Sequence, residues 1–165
     1  CINNDLANNY GNLCQRVFSF IDKNCSNQIP KPINLDKTDM KLINNLKNQS
    51  NELIKLMNKQ ELNLYIKKII EFSFDANKYF NDSEPWALKK TNINRMNTIL
   101  FTTTEQIKNI SILLSPIIPK ATKKILDSLN VDEHNRTIEG VNKIDCFDHS
   151  KKIIKSGILF KKVEK

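Results

Sequence analysis

Glycine and proline are scarce in this sequence, with three Gly and five Pro in 165 residues. These are the residues that punctuate turns and break helices, so long uninterrupted elements are expected. No apolar run approaches the ~20 residues that carry a helix across a bilayer, and no membrane-spanning segment is expected. The four cysteines, Cys1, Cys14, Cys25 and Cys146, show neither a CxxC pair nor the regular spacing of a secreted disulfide framework. They are expected to be reduced thiols in a soluble, cytoplasmic protein. Cys146 and His149 form one C-x-x-H without a second pair, fewer ligands than a tetrahedral zinc site requires, so no metal is expected. The only histidines, His134 and His149, have no nucleophile paired to them in sequence, and no independent active site is visible. N-x-S/T triplets such as Asn24-Cys25-Ser26 are expected by chance in an Asn-rich chain without a secretory signal. A chain that opens on Cys1 rather than Met is expected to lack its natural N-terminus.

Lysine, isoleucine and asparagine, by contrast, are abundant. Lys plus Arg number 26 against 18 Asp plus Glu, giving a net charge of +8 and a pI near 9.3. That sign suits a polyanionic partner bound through phosphate neutralisation, although many lysines merely solvate a surface. With 39% hydrophobic residues, a chain of this length can bury one core without disulfides or metal.

The apolar residues recur at helical spacing up to about residue 130. A first helix is predicted from Asn3 to Lys23, with Leu6, Tyr10, Leu13, Val17, Phe20 and Ile21 on one stripe. Two prolines make 24–36 a loop, after which Asp36 or Thr38 can cap a helix. A second helix is predicted from Asp39 to Asn58 and a third from Lys59 to Phe80. A turn at Glu84-Pro85-Trp86, capped by Ser83, precedes a fourth helix from Thr91 to Ser115. Pro116 and Pro119 then bend or restart the chain into a fifth helix ending near Asn130. Beyond Val131 helical periodicity fades, and a loop-rich tail with one short strand at 158–160 is expected. The fold class is therefore all-α: a bundle of about five helices over 1–130, with residues 131–165 an extension packing back on it.

On the first helix Asn8, Asn12 and Arg16 are spaced by four, which sets them along one edge of the polar face. An Asn and an Arg that meet this way present donors and an amide acceptor, suited to the edge of an unpaired base. A polar helix face is more often simply hydrated. Gly11 beside them suggests close approach of another helix or a ligand. Trp86, the only tryptophan, follows Pro85 and precedes Lys89 and Lys90. Such a ring either stacks an extruded base while the lysines hold phosphates, or plugs the core between two helices.

The string Asn4-Asp5-Leu6-Ala7-Asn8-Asn9-Tyr10-Gly11-Asn12-Leu13-Cys14-Gln15-Arg16 resembles the N-x-D-L-A-N-x-x-G-N-L-x-x-R helix of bacterial-type methionyl-tRNA synthetases. Three further matches keep that family's order: Tyr79-Phe80 with Glu84-Pro85-Trp86-Ala87-Leu88, then Leu113 to Lys120, then Gly157 to Glu164. The last departs from the family's F-P-R-I-E ending, reading Phe160-Lys161-Lys162-Val163-Glu164. The resemblance implies a helical domain that binds the CAU anticodon of methionine tRNA. It implies that Asn12 and Arg16 recognise the first anticodon base, that Trp86 stacks on it and that Pro85 fixes the turn. Asn92 and Arg95 are suspected near the other two bases. The family's HIGH-like and KMSKS-like catalytic runs and its zinc-knuckle ligands do not occur here. This stretch alone is therefore expected to ligate nothing and to hold no cofactor, ATP and Mg serving a catalytic domain elsewhere in the parent chain, which is itself an expected partner. The anticodon domain of another class I synthetase and a helical protein-interaction module are the alternatives.

Overall fold

The chain's structure, a computed structural model, describes residues 5–154, the side chain of Ala7 excepted. A π-helical stretch, Leu6–Gly11, continues directly into α1, Asn12–Asn24. Then come α2 (Lys37–Asn48), α3 (Ser50–Asn58), α4 (Leu62–Ser83), α5 (Ile93–Leu114), α6 (Pro119–Ser128) and α7 (Ile138–Asn142). A single 3-10 turn, Glu133–Asn135, separates the last two. Among the described residues the only strand-like pairing is one antiparallel bridge between Gln28 and Lys152. The all-α bundle expected from periodicity is the fold.

The axis of the bundle is α5, in which every residue from Thr98 to Leu114 is buried. Around it pack α1, α2, α4, α6 and α7. Tyr65, near the start of α4, donates a 2.6 Å hydrogen bond to the carbonyl of Leu113 at the end of α5, so the two long helices run antiparallel. The stripe of α1 enters the same core through Leu13, Val17 and Ile21, and the Tyr10 hydroxyl bonds Ser111 of α5.

Several boundaries differ from the sequence expectation for local reasons. The expected helix 39–58 breaks at Gln49, between α2 and α3. The run Asn48-Gln49-Ser50-Asn51 contains weak helix formers whose side chains compete for backbone bonds, while Ile43, Leu46 and Leu53 all remain fully buried. α3 ends with Gln60 in the left-handed region (φ 59°), where the Gln60 and Glu61 N–H groups bond the carbonyls of Met57 and Leu56. This is the Schellman closure, here without glycine. Consequently α4 begins at Leu62, which is 44% exposed. Asp36, not Thr38, caps α2, accepting from the N–H groups of Thr38 and Asp39 while the Asp39 carboxylate accepts from the Asp36 N–H. Ser83 ends α4 instead of capping the turn, and Asn92 caps α5.

The segment beyond Val131 is held by a buried ion pair. Glu105 and Lys108 of α5 are both without exposed side-chain area and lie 2.5 Å apart. The Lys108 ammonium also donates to the carbonyls of Gly140 (3.2 Å) and Lys143 (2.9 Å). α7 crosses here so closely that a Cβ on Gly140 would lie 1.7 Å from the Asn135 carbonyl oxygen, so only glycine fits. The strand expected at 158–160 lies outside the described residues, as does the family-like match at 157–164.

Candidate functional site

The chain leaves α4 through Glu84, whose left-handed φ of 42° precedes Pro85, a residue with no N–H to continue a helix. The Ala87 and Leu88 N–H groups bond the carbonyls of Glu84 and Pro85, and Asn92 N–H bonds Leu88. This turn buries Pro85 and turns Trp86 outward, 42% exposed. The indole stands edge-on to Phe80 of α4, with centroids 5.9 Å apart and planes at 70°. Trp86 is therefore no plug between α4 and α5.

Arg16 of α1 meets the same Phe80 ring, its guanidinium carbon 5.2 Å from the centroid. Its Nη2 donates a 2.7 Å hydrogen bond to the side-chain oxygen of Asn81. Phe80 itself is 2% exposed, so it is the buried ring that ties the charged and the aromatic group to one place. Asn12, one α-turn before Arg16, is exposed. Asn8 is exposed too, but it sits on the π-helical stretch, where four residues fall short of a full turn. It is thereby displaced from the row joining Asn12 to Arg16. Gly11 is buried, and beside it Asn9 is bonded to Ser73 and Asn77 of α4, which holds α1 against that helix. Lys89 extends over the ring of Phe20, 5.0 Å from its centroid, and Lys90 is exposed. Sequence put Phe20 on the apolar stripe and Phe80 in a family-like match but assigned neither of them, nor Asn81, to the site. Spacing gave a partial signal only for Phe20, which follows Arg16 by four.

Asn92 and Arg95 have structural tasks. The Asn92 oxygen accepts from the Arg95 N–H as the cap of α5. The Arg95 guanidinium grips the carboxylate of Asp39 with two bonds, 2.6 and 2.9 Å, and also reaches Asp36. Asp39 has no exposed side-chain area and accepts a third bond, 2.5 Å, from the Tyr79 hydroxyl. Burial pulls the Asp39 carboxyl upward, but Arg95, Tyr79 and the Asp36 N–H outweigh it and hold it below the ordinary carboxylate value. Burial and the adjacent Asp39 push the Tyr79 phenol well up. The cluster joins α2, α4 and α5 just beside the end of α4 that carries Phe80 and Asn81. Across that helix end an open groove of about 760 Å³ lies between α2 and α4, lined by Lys41, Asn44, Asn48, Lys78 and Asp82 among others.

Among the described residues no group of three or more His, Cys, Asp or Glu side chains is placed to hold a metal ion. No helix among them is long and apolar enough to cross a membrane.

Residues 29–165 match the family model described as the anticodon binding domain of methionyl tRNA ligase. The methionine–tRNA ligase of Brucella suis biovar 1 (strain 1330) is 37% identical over 139 residues, covering 84% of this chain and 27% of that protein. The Rickettsia felis methionine–tRNA ligase is 32% identical over 166 residues, covering 99% of this chain and 32% of its own length. Among solved structures, free Mycobacterium tuberculosis methionyl-tRNA synthetase superimposes with a TM-score of 0.89 at 28% identity, covering 99% of this chain and 34% of that one. The same enzyme in complex with methionyl-adenylate gives 0.87 at 29% identity, over 96% of this chain and 32% of that one. The chain thus spans 27% to 34% of the length of these relatives.

Proposed function

The chain belongs to the methionyl-tRNA ligase family, as that enzyme's anticodon-binding domain, and from this premise we propose that it reads the CAU anticodon loop of methionine tRNA. The first anticodon base stacks on the outward face of Trp86. Arg16 and Asn12 satisfy its Watson–Crick edge, Pro85 holds the turn, Asn8 extends the polar edge, and Lys89 and Lys90 neutralise phosphates of the loop. Residues up to 130 form the RNA-facing unit, and the described residues from 131 to 154 return onto it. In the longer protein, partnered with its own catalytic domain in the cytoplasm, this binding orients the acceptor end for ligation of methionine. ATP and Mg²⁺ serve that step; the nucleotide-binding HIGH-like and KMSKS-like runs are not among these residues.

The observation that carries this reading is the convergence of Arg16 and Trp86 on Phe80. A guanidinium presents fixed hydrogen-bond donors and an indole presents a π-face, and an unpaired base needs both. The test is binding of the 165-residue chain to anticodon stem-loops carrying CAU and a scrambled triplet, each at two salt concentrations. Tighter binding of CAU at both is expected, and equal affinity overturns the reading. Trp86→Ala is expected to weaken the CAU complex by about 1–3 kcal/mol while leaving the fold intact. If that variant unfolds, the tryptophan is structural and the assignment fails.

A further inference from the structure

The edge that carries Arg16 and Trp86 holds a second aromatic ring, one that the anticodon reading above leaves idle. Phe20 lies one helical turn past Arg16 on α1 and is half-buried. It meets Phe80 edge-on, with centroids 6.5 Å apart and planes at 86°, and Phe80 in turn meets Trp86 edge-on. Three rings therefore run in succession from Phe20 through Phe80 to Trp86. The middle one is buried, so the two outer rings are the ones a ligand can reach.

Each phenyl ring has its own cation. Arg16 lies over Phe80, where its hydrogen bond to Asn81 also fixes it. Lys89 lies over Phe20, and it is an exposed lysine three residues after Trp86. The ring of Phe20 is thus covered by a long, flexible, hydrated side chain that can swing away. An aromatic face paired with a mobile ammonium is what one nucleotide of a single strand requires: a surface for the base and a counter-charge for its phosphate. Past Phe20 the same edge continues to Asn24, which donates a 2.8 Å bond to the Phe20 carbonyl. There a hollow of about 440 Å³ opens between Asn24, Lys31, Ile93 and Asn97.

Resting on the reading in which the first anticodon base stacks on Trp86, we propose that Phe20 and Lys89 form a second nucleotide subsite. The next unpaired base of the loop stacks on Phe20, and Lys89 moves from the ring to the phosphate that links the two nucleotides. A purine, with the larger π-face, is favoured there over a pyrimidine.

The test measures affinity of the 165-residue chain for CAU stem-loops that are intact, abasic at the first anticodon position, or abasic at the second. Phe20→Leu is expected to weaken the intact loop by about tenfold. That loss should persist on the loop abasic at the first position and vanish on the loop abasic at the second, and Phe20→Tyr should restore it. An equal loss on both abasic loops, or no loss, overturns the subsite. If Trp86→Ala still weakens the intact loop in that case, the anticodon reading survives without it; if Trp86→Ala has no effect either, both fail. A probe that needs no variant is 2-aminopurine at the second position. Its fluorescence should be quenched when the unaltered chain binds, and unchanged fluorescence in a formed complex overturns the proposal.

Discussion

The side-chain oxygen of Asn81 accepts a 2.7 Å hydrogen bond from Arg16, joining the last turn of α4 to the middle of α1 where the guanidinium also lies over the ring of Phe80. Without that bond the guanidinium is free to sample other rotamers, and a side chain as long as arginine loses appreciable entropy when a ligand has to order it. Asn81 is exposed and contributes little burial. Asn81→Ala is therefore expected to change stability by less than about 0.5 kcal/mol, yet weaken binding of a CAU stem-loop several-fold. Titration calorimetry and chemical denaturation of the same variant check the two halves; a stability loss that tracks the binding loss contradicts the positioning role.

Salt dependence reports how many phosphates the lysines neutralise. For a single-stranded loop the log–log slope of affinity against salt changes by about 0.7 per phosphate contact. Lys89→Gln and Lys90→Gln are each expected to flatten the slope by about that amount if each lysine holds one phosphate. Affinities between roughly 50 and 300 mM salt measure it. A parallel shift of the line, with its slope kept, would remove that lysine from the phosphate contacts.

Asp39 is the clearest source of acid sensitivity. Its carboxyl is held below the ordinary value chiefly by Arg95 and Tyr79, against the upward pull of burial. A lowered folded value means that the stabilisation is fully present above the unfolded carboxylate pKa of about 3.9. It is lost as pH falls through the folded value. Asp39→Asn removes the charge that Arg95 grips and is expected to cost about 3–5 kcal/mol at pH 7. It should also flatten the fall in urea midpoint between pH 5 and strong acid, a window set by that lowered value. A variant as acid-sensitive as the parent would locate the titration elsewhere.

Lys108 clamps the segment after Val131 to α5. Burial pushes the Glu105 carboxyl up, against the pull of Lys108, so removing the ammonium leaves a buried carboxylate and two carbonyls, of Gly140 and Lys143, without their donor. Lys108→Met is expected to cost about 3–5 kcal/mol, and pairing it with Glu105→Leu should recover part of that. Gly140→Ala, which forces a Cβ onto the Asn135 carbonyl, should cost at least about 1–3 kcal/mol. Denaturation midpoints give the totals. Amide exchange resolved to residues 138–147 shows whether the loss opens this segment first.

Sequence alone carried the helices whose stripes are periodic and long. Leu13, Val17 and Ile21, or Tyr65, Ile69, Phe72 and Ala76, announce their buried side because a 3.6-residue period leaves one face apolar whatever lies opposite. It also carried Asn12, Arg16, Pro85 and Trp86 as candidates, since residue type and order survive without coordinates. Tertiary structure alone decided what those residues meet. No pattern joins Arg16 to Asn81, 65 positions away, or sets Phe80 beneath both the guanidinium and the indole. None joins Arg95 to a carboxylate 56 residues earlier. Nor could composition reveal that, among the described residues, Lys108 is the buried lysine. Periodicity is a property of neighbours along one helix, whereas partnership between polar groups depends on which helices pack and at what register. That is settled only when the whole core closes around α5.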